Sequence, residues 1–135
     1  MLISTKGRYS LRIMLDVAQN GKDCAVKISE IAARQEISIK YTEQLAAALT
    51  KAGLLRSVRG AGGGYLLTKA ANDYSVYEIL QHTEGELVPV ECVLREGYCN
   101  RASCAVRGLW NGLYGVMRDY LEKISLGDIM EGKTV

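Results

Sequence analysis

The sequence lacks any run of the roughly 18 to 20 uninterrupted apolar residues that a membrane-spanning helix needs. It also lacks a secretory apolar stretch at its start, where basic residues follow Met1 almost at once. We therefore expect a cytoplasmic protein with no membrane partner. The chain has 135 residues, the size of one domain, so there is no room for a second catalytic lobe.

The residue types of an active site are also scarce. The chain has a single histidine, no C-x-x-C pair and no cofactor fingerprint, so we find no nucleophile–base pair for a thiol oxidoreductase or another enzyme. The glycine run at 60–64 does not fit a phosphate-binding loop, because an apolar strand follows it where a helix would be required. We expect no enzymatic activity.

What the sequence does contain is an uneven distribution of charge. Residues 1–71 carry 11 basic and five acidic side chains, a net charge of +6, whereas residues 72–135 carry six basic and ten acidic side chains, a net charge of −4. This division favours one surface that faces a polyanion and another that regulates or oligomerises. Chance clustering on a solvated surface gives the same pattern, so charge alone does not decide.

Three helices are predicted in the basic half. The first begins near Ser4 or Thr5, either of which can cap it, and continues to about residue 20. A second short helix covers 29–34, with Ser29 at its start. After a three-residue turn the third helix begins at Ser38 and ends at the Ala52-Gly53 pair, with Leu45, Ala48 and Leu49 as its buried stripe. Two short helices joined by a tight turn are typical of a helix-turn-helix.

A β-hairpin is predicted directly after the third helix. Residues 54–59 and 65–67 have the composition of strands, and the glycine-rich segment 60–64 has that of a turn. Positive φ angles and a close approach of backbone to DNA explain the glycines. A helix-turn-helix followed by such a hairpin is a winged helix, so the expected fold is mainly α with a small β wing.

The acidic half divides into three parts. A fourth helix is predicted over 75–84, an irregular segment over 85–103, and a long amphipathic helix from about Cys104. The apolar face of that last helix is wide, so we expect a second copy of the chain to cover it, the alternative being that it folds back onto the first helix. The expected division is a winged helix-turn-helix region at 1–84, an irregular cysteine-containing segment at 85–103, and a dimerisation helix with its tail at 104–135.

Three of the four cysteines lie in or beside the irregular segment. Cys92, Cys99 and Cys104 follow the spacing C-x6-C-x4-C, next to a predicted helix start and near several arginines, a setting that favours thiolates. Three soft ligands suit either zinc or an iron–sulfur cluster, and the spacing does not separate the two. Structural disulfides are not expected in a reducing cytosol. Cys24 is isolated and is interpreted as a core or loop thiol.

Several motifs together resemble a known family. They are Ser38-x-Lys40-Tyr41-x-Glu43-Gln44-Leu45, Leu49-x-x-Ala52-Gly53-Leu54, Ser57-x-Arg59-Gly60, Gly63-Gly64-Tyr65-x-Leu67 and the opening Ser4-Thr5-Lys6-Gly7-Arg8-Tyr9. This set, with the cysteine segment and the long helix behind it, is similar to the IscR and NsrR type of bacterial regulator, the Rrf2 family. The resemblance covers essentially the whole chain. It implies a winged-helix homodimer, expected to be a repressor, on a two-fold-symmetric double-stranded DNA operator. It further implies DNA binding for residues 1–84 and sensing for residues 85–103.

The resemblance also implies residues that contact DNA. Tyr41, Glu43 and Gln44 match positions near base edges in the major groove, where glutamine pairs with adenine and glutamate with cytosine. Arg59, beside Gly60 at the wing, resembles a residue that enters the minor groove. Ser38 and Lys40 are expected to bind phosphate. The set of expected DNA-binding residues is Ser38, Lys40, Tyr41, Glu43, Gln44, Arg59 and Gly60.

For the cysteine segment the resemblance implies an iron–sulfur cluster on Cys92, Cys99 and Cys104, two-iron (2Fe-2S) in preference to four-iron (4Fe-4S). The sequence departs from the family at the fourth ligand, since Arg107 occupies the position of a ligating histidine and Arg8 that of an acidic ligand. Carboxylates such as Glu91 or Glu96, a residue from the partner subunit or an external thiol remain open, and the single histidine, His82, is expected to be a surface or partly buried residue and not a ligand. The alternatives are a cluster-free regulator of cysteine metabolism, a thiol-based redox switch, or a winged helix that binds only protein.

Overall fold

A computed structural model of the chain describes residues 3–95, residue 98 and residues 103–134. Its helices and strands are α1 (Thr5–Asn20), α2 (Ile28–Gln35), α3 (Ile39–Lys51), β1 (Leu55–Val58), β2 (Gly64–Leu67), α4 (Val76–Glu84), α5 (Arg107–Lys123) and α6 (Leu126–Met130). Single 3-10 turns lie at Ala71–Asp73 and Glu91–Val93. The fold is therefore mainly α with a small β wing, as predicted. In the described part of the chain, no helix is long and apolar enough to cross a membrane.

Serine caps start most of the helices, because a serine hydroxyl accepts a backbone N–H that the first helical turn leaves without a partner. Ser4 caps α1, Ser38 caps α3 and Ser75 caps α4, at or next to the predicted starts. The prediction of a capping Ser29 was wrong. α2 begins one residue earlier, after Lys27, and no side chain caps it.

The core lies where α1, α3 and the base of the wing meet. Ile13, Met14 and Leu49 are fully or almost fully buried there, together with Tyr74 and Leu126 from later in the chain. The predicted stripe of α3 is correct for Leu45 and Leu49 but wrong for Ala48, which is exposed. The face that packs inward is instead Thr42, Leu45, Ala46 and Leu49, because α3 packs against both α1 and α2 and turns that edge inward.

The wing is an antiparallel pair in which Leu55 faces Leu67 and Val58 faces Gly64. A third backbone segment joins it, since the Val26 N–H donates to the Tyr65 carbonyl and the Tyr65 N–H donates to the Val26 carbonyl, each at 2.9 Å. Gly64 has a φ of 153°, and a Cβ there would collide with the Val26 carbonyl. Positive φ in the turn is thus confirmed, and the close approach at Gly64 is to the chain's own backbone. The wing is therefore fixed to the segment that leads into α2.

The C-terminal end of the acidic half folds back and packs against the winged helix. After α5, the Leu126 N–H donates to the Tyr74 carbonyl and the Val76 N–H donates to the Ile124 carbonyl, both at 2.9 Å. α6 then packs against α1 and the first 3-10 turn. The last long helix begins at Arg107, three residues after the predicted start at Cys104, and α6 was not predicted. α5 itself packs against α4 and the 3-10 turn at Glu91–Val93.

Candidate nucleic-acid interface and cysteine segment

The first turns of α3 present a polar surface to solvent. Ser38, Lys40, Glu43 and Gln44 are all exposed, at or next to the N-terminal end of the helix. The Ser38 hydroxyl accepts the Tyr41 N–H at 3.1 Å, which leaves its own hydrogen free to donate to a ligand. Helix N-termini carry unpaired N–H groups and favour anions, so this end of α3 suits contact with a nucleic-acid backbone.

Tyr41 differs from its neighbours because its ring is partly used in packing. It is half-buried and meets the ring of Tyr9 edge to face, with centroids 6.1 Å apart. The Arg12 guanidinium lies 5.0 Å from the Tyr9 ring centroid on α1. Tyr41 therefore joins the start of α3 to α1, and only part of its side chain remains available to a ligand.

The wing and α3 face each other across an open cleft. Glu43 and Ala47 of α3 line one side and Ser57, Gly60 and further wing residues line the other, around a volume of about 650 Å³. Gly60 has a φ of 101° and its carbonyl accepts the Gly63 N–H at 2.9 Å, which forms the tip of the wing. The structure thus brings the predicted residues Glu43 and Gly60 to one cleft. Arg59 is exposed at the wing tip, outside the cleft lining.

Two further residues reach this cleft that the sequence did not assign to it. Lys27 and Ser29, both exposed at the start of α2, line its floor. The sequence pattern had assigned Ser29 to capping, yet no side chain caps α2, so its hydroxyl remains available. A basic residue directly before a helix was the signal that could have identified Lys27 as an anion contact.

A buried carboxylate fixes α2 relative to α1. Asp16 is 2% exposed and accepts hydrogen bonds from two Arg34 nitrogens. Nη2 donates to Oδ1 at 2.7 Å, and Nε donates to Oδ2 at 3.0 Å and to Oδ1 at 3.3 Å. The Gln35 amide donates to Asp16 Oδ2 at 2.8 Å, and Arg12 donates to the Gln35 side-chain and backbone oxygens at 2.9 and 2.7 Å. The hydrogen bond to Asp16 raises the pKa of Arg34. This network holds the end of α2, and with it the turn before α3.

A buried tyrosine hydroxyl fixes the base of the wing. Tyr74 is fully buried, and its hydroxyl donates to the Leu54 carbonyl at 2.9 Å while accepting the Thr68 and Lys69 N–H groups at 2.8 and 3.0 Å. The start of β1 and the end of β2 therefore share one side chain. The bond to the Leu54 carbonyl is buried and the two N–H bonds are partly buried, so the Leu54 carbonyl depends most on this partner.

The cysteine segment is described at both of its ends. Cys92 is half-buried on the 3-10 turn Glu91–Val93, and Cys104 is half-buried three residues before α5. The Cys104 carbonyl accepts the Arg107 N–H at 3.2 Å, and no side chain caps the first turn of α5. Cys99, the third predicted ligand, lies outside the described residues, as does Glu96.

Within the described residues, which omit Cys99, there is no group of three or more His, Cys, Asp or Glu side chains arranged to hold a metal ion. Of the other candidates for a fourth ligand, Glu91 is exposed beside Cys92. His82 is exposed on α4, as predicted. Cys24 is an exposed thiol between α1 and α2, which confirms the loop interpretation and excludes a place in the core.

One face of α5 is apolar and uncovered in the single chain. Leu109 is 63% exposed, Leu113 41%, Val116 69% and Tyr120 58%, at intervals of three and four residues. α4 covers the opposite face, where Leu121 and Ile124 pack against the small cluster of Val76, Tyr77, Leu80 and Leu87. A continuous apolar stripe of this kind at a protein surface marks an interaction surface.

Comparisons with known proteins agree with this geometry. The family model described as Rrf2, iron-dependent transcriptional regulator, matches residues 3–132. The chain is 38% identical over 135 residues to the HTH-type transcriptional regulator IscR of Pectobacterium carotovorum, covering all of this chain and 82% of that protein. It is similar to the solved structure of CymR (YrzC), the global cysteine regulator of B. subtilis, with a TM-score of 0.86, 32% identity and 98% of each chain covered. It is also similar to the structure of T. potens IscR, with a TM-score of 0.79, 33% identity and 98% and 88% covered.

Proposed function

This chain belongs to the Rrf2 family of transcriptional regulators, and from that premise we propose that it is a homodimeric repressor of a two-fold-symmetric DNA operator. We further propose that it responds to iron–sulfur, redox or nitrosative status through a cluster held by its cysteine segment. In this proposal residues 1–84 bind DNA, residues 85–103 sense the signal, and residues 104–135 dimerise.

The observation that carries the DNA-binding part is the exposed start of α3 beside the wing. Gln44 and Glu43 offer the amide and carboxylate that pair with adenine and cytosine edges in the major groove. Ser38 and Lys40 lie at the first turn, where they would contact phosphate and set the register, and Lys27 and Ser29 extend that contact across the cleft. Arg59 at the wing tip would reach the adjacent minor groove, next to the exposed backbone of Gly60. Tyr41 would contact DNA only through the exposed part of its side chain, since its ring packs against Tyr9.

This division of roles is tested by two variants on the same exposed helix. Gln44→Ala is expected to cost roughly 1–3 kcal/mol at the cognate operator and to relax discrimination between sequences. Lys40→Ala is expected to weaken binding to all DNA alike and to flatten the dependence of the dissociation constant on salt. Gel-shift titrations against operator and scrambled DNA at several salt concentrations measure both effects. Equal losses on both DNAs for Gln44→Ala would remove Gln44 from base recognition.

The uncovered stripe of α5 supports the homodimer. A helix-turn-helix binds its operator with two half-sites about one helical turn apart, so two chains are needed. The stripe contains aliphatic side chains that a copy of the same helix would cover symmetrically. Val116→Asp places a charge at the most exposed of these positions and is expected to yield monomers by sedimentation. A wild-type protein that sediments as a monomer at micromolar concentration would contradict the dimer.

The donor chemistry of the cysteine segment fits an iron–sulfur cluster. Cys92 and Cys104 are half-buried thiols at the two ends of the segment, and Cys104 lies three residues before the uncapped first turn of α5. Cys99 lies between them in sequence and supplies the third thiolate. We propose these three as ligands, two-iron in preference to four-iron, with the fourth ligand supplied by a carboxylate such as Glu91, by the partner subunit or by an external thiol.

When bound, a cluster supplies a centre that oxygen, nitric oxide or iron supply can change. The protein's own part is to supply three thiolates along one segment between α4 and α5. In this proposal the segment takes one arrangement with the cluster and another without it. Anaerobic purification followed by iron and sulfide assay, absorption and electron-spin spectra tests this. A colourless protein whose DNA binding ignores reconstitution, and which Cys92→Ala does not change, would contradict it.

A second candidate is a cluster-free regulator of cysteine metabolism or a thiol switch. The high structural similarity to the global cysteine regulator of B. subtilis favours it, as does the exposure of the Cys24 thiol. In that case Cys24→Ser would abolish a response of DNA binding to oxidants, and Cys92→Ala would leave it unchanged. The opposite pattern is expected for a cluster sensor, so these two variants separate the candidates.

A further inference from the structure

The carboxylate of Glu86 joins three parts of the molecule. Its Oε2 accepts the Tyr77 hydroxyl of α4 at 3.1 Å and the Tyr114 hydroxyl of α5 at 3.3 Å. Its Oε1 accepts the Gln81 amide of α4 at 2.8 Å. Glu86 itself belongs to the first residues after α4, where the segment that leads to Cys92 begins.

The hydrogen-bonded group around Glu86 has a rigid side at Tyr77 and a side that can open at Tyr114. Tyr77 is 6% exposed, and burial together with hydrogen bonds to Tyr114 and Glu86 raises the pKa of its hydroxyl, which therefore remains a donor at neutral pH. Next to Glu86, Leu87 is buried against α4 and fixes the start of the segment there. Glu86 is exposed and Tyr114 half-exposed, so water competes for the bond between them. The Glu86–Tyr114 hydrogen bond is thus the weakest of the hydrogen bonds that Glu86 accepts.

The Glu86–Tyr114 contact joins the start of the cysteine segment to α5, the helix that follows it. Glu86 precedes Cys92 by six residues, and Tyr114 follows Cys104 by ten, about two turns into α5. A rearrangement of the segment that shifts the first turns of α5 against α4 must stretch this bond. α4 packs against α1, and α1 packs against α3, so the contact lies on the packed route from the segment to the recognition helix.

We propose that Glu86 is a positioning residue. By fastening α5 to α4 through its hydrogen bonds, it couples the conformation of the cysteine segment to the DNA-binding region. The inference rests on the proposed function for the identity of the signal. The fastening of α5 to α4 by Glu86 does not depend on any of the cysteine ligands. The fastening and the transmission are therefore measured separately.

The fastening is tested on the full-length protein without iron, by hydrogen exchange. Tyr114→Phe removes one hydroxyl and Glu86→Gln removes the charge, and each is expected to raise exchange of amides 107–114 roughly threefold to tenfold, the factor that one net hydrogen bond supplies. The two effects should add incompletely in the double variant, because both weaken the Glu86–Tyr114 contact, while Tyr114→Phe also removes the hydroxyl contact with Tyr77 at 3.5 Å. Asp119→Asn, an equivalent change of an exposed carboxylate on α5, serves as control. Exchange equal to that of the control would overturn the proposal.

The transmission is tested by the ratio of operator dissociation constants between protein reconstituted anaerobically with iron and sulfide and protein without iron. Tyr114→Phe and Glu86→Gln are expected to bring this ratio toward one by roughly threefold to tenfold, while Asp119→Asn keeps the wild-type ratio. A variant that exchanges faster but keeps the wild-type ratio would overturn the role in transmission. A wild-type ratio of one would instead contradict the cluster proposal, and the exchange comparison alone would then decide whether Glu86 fastens α5.

Discussion

Replacing Asp16 by asparagine tests whether the buried carboxylate holds the helix-turn-helix in place. Asparagine has nearly the same shape, but its NH2 group must replace either Oδ1, which accepts Arg34 Nη2, or Oδ2, which accepts both Arg34 Nε and the Gln35 amide. In either orientation a donor faces a donor. Net hydrogen bonds to charged groups contribute about 1.5–3 kcal/mol each, and a broken buried ion pair costs more. Because the Arg34 side chain is 39% exposed and water can reach it, we expect the lower range, a loss of about 2–4 kcal/mol in the free energy of unfolding.

The assay is urea unfolding followed by circular dichroism at fixed protein concentration, since a dimer unfolds in a concentration-dependent way. The midpoint should fall while the slope of free energy against urea stays constant. Asp23→Asn, an exposed carboxylate in the loop after α1, is the matched control and should change the stability by less than about 0.5 kcal/mol. The difference should survive high salt, because a buried pair is weakly screened. A loss for Asp16→Asn no larger than for the control would refute the reasoning.

Three further predictions concern the wing and the C-terminal end. Tyr74→Phe leaves the Leu54 carbonyl and two N–H groups without their buried partner and should lower the free energy of unfolding by about 2–4 kcal/mol in the same assay; a loss below 0.5 kcal/mol would contradict it. Gly64→Ala forces a Cβ against the Val26 carbonyl and should lower stability and operator affinity together, whereas Gly62→Ala, which meets open space, should spare both. Hydrogen bonds from Ser125 lower the pKa of Asp128, so its stabilisation is present above the ordinary aspartate value and is lost as pH falls through the lowered one; acid unfolding of Asp128→Asn should therefore be shallower than that of the wild type, and identical profiles would count against it.

Local signals predicted most of the helices and the wing. Serine before an apolar period correctly identified the starts of α3 and α4, because the cap and the period depend only on neighbouring residues. Ser29 was misassigned because it is the second residue of α2 and not the residue before it. The N–H groups that its hydroxyl would accept as a cap already donate within the helix. The choice of Ala48 over Ala46 in the buried face failed for a tertiary reason, since two packing partners set the rotation of α3.

The contacts that fix the elements relative to one another were out of reach of sequence patterns. Asp16 and Arg34 are 18 residues apart, and Tyr74 and Leu54 are 20 apart, with no periodicity that relates them. The bridge between Ser75 and Ser125 depends on the path of α5, which no local signal specifies. The short helix α6 was missed although Ser125 and Asp128 form a capping box, which is a local signal. For the site, the residues chosen by motif resemblance lie at α3 and at the wing tip, and their contacts with DNA stay predictions. The proposed contact of Lys27 rests on the cleft that α2 shares with the wing, and its position directly before a helix was the one sequence signal for it.

Selection from a pool of random DNA duplexes measures the central claim most directly. Purified protein retains its preferred sequences, and the retained pool is sequenced after each round. We predict enrichment of a two-fold-symmetric site with half-sites about one helical turn apart, and loss of that enrichment for Gln44→Ala while Lys40→Ala enriches the same site more weakly. A retained pool indistinguishable from the input, or an enriched site without two-fold symmetry, would contradict the claim that this chain reads an operator as a dimer.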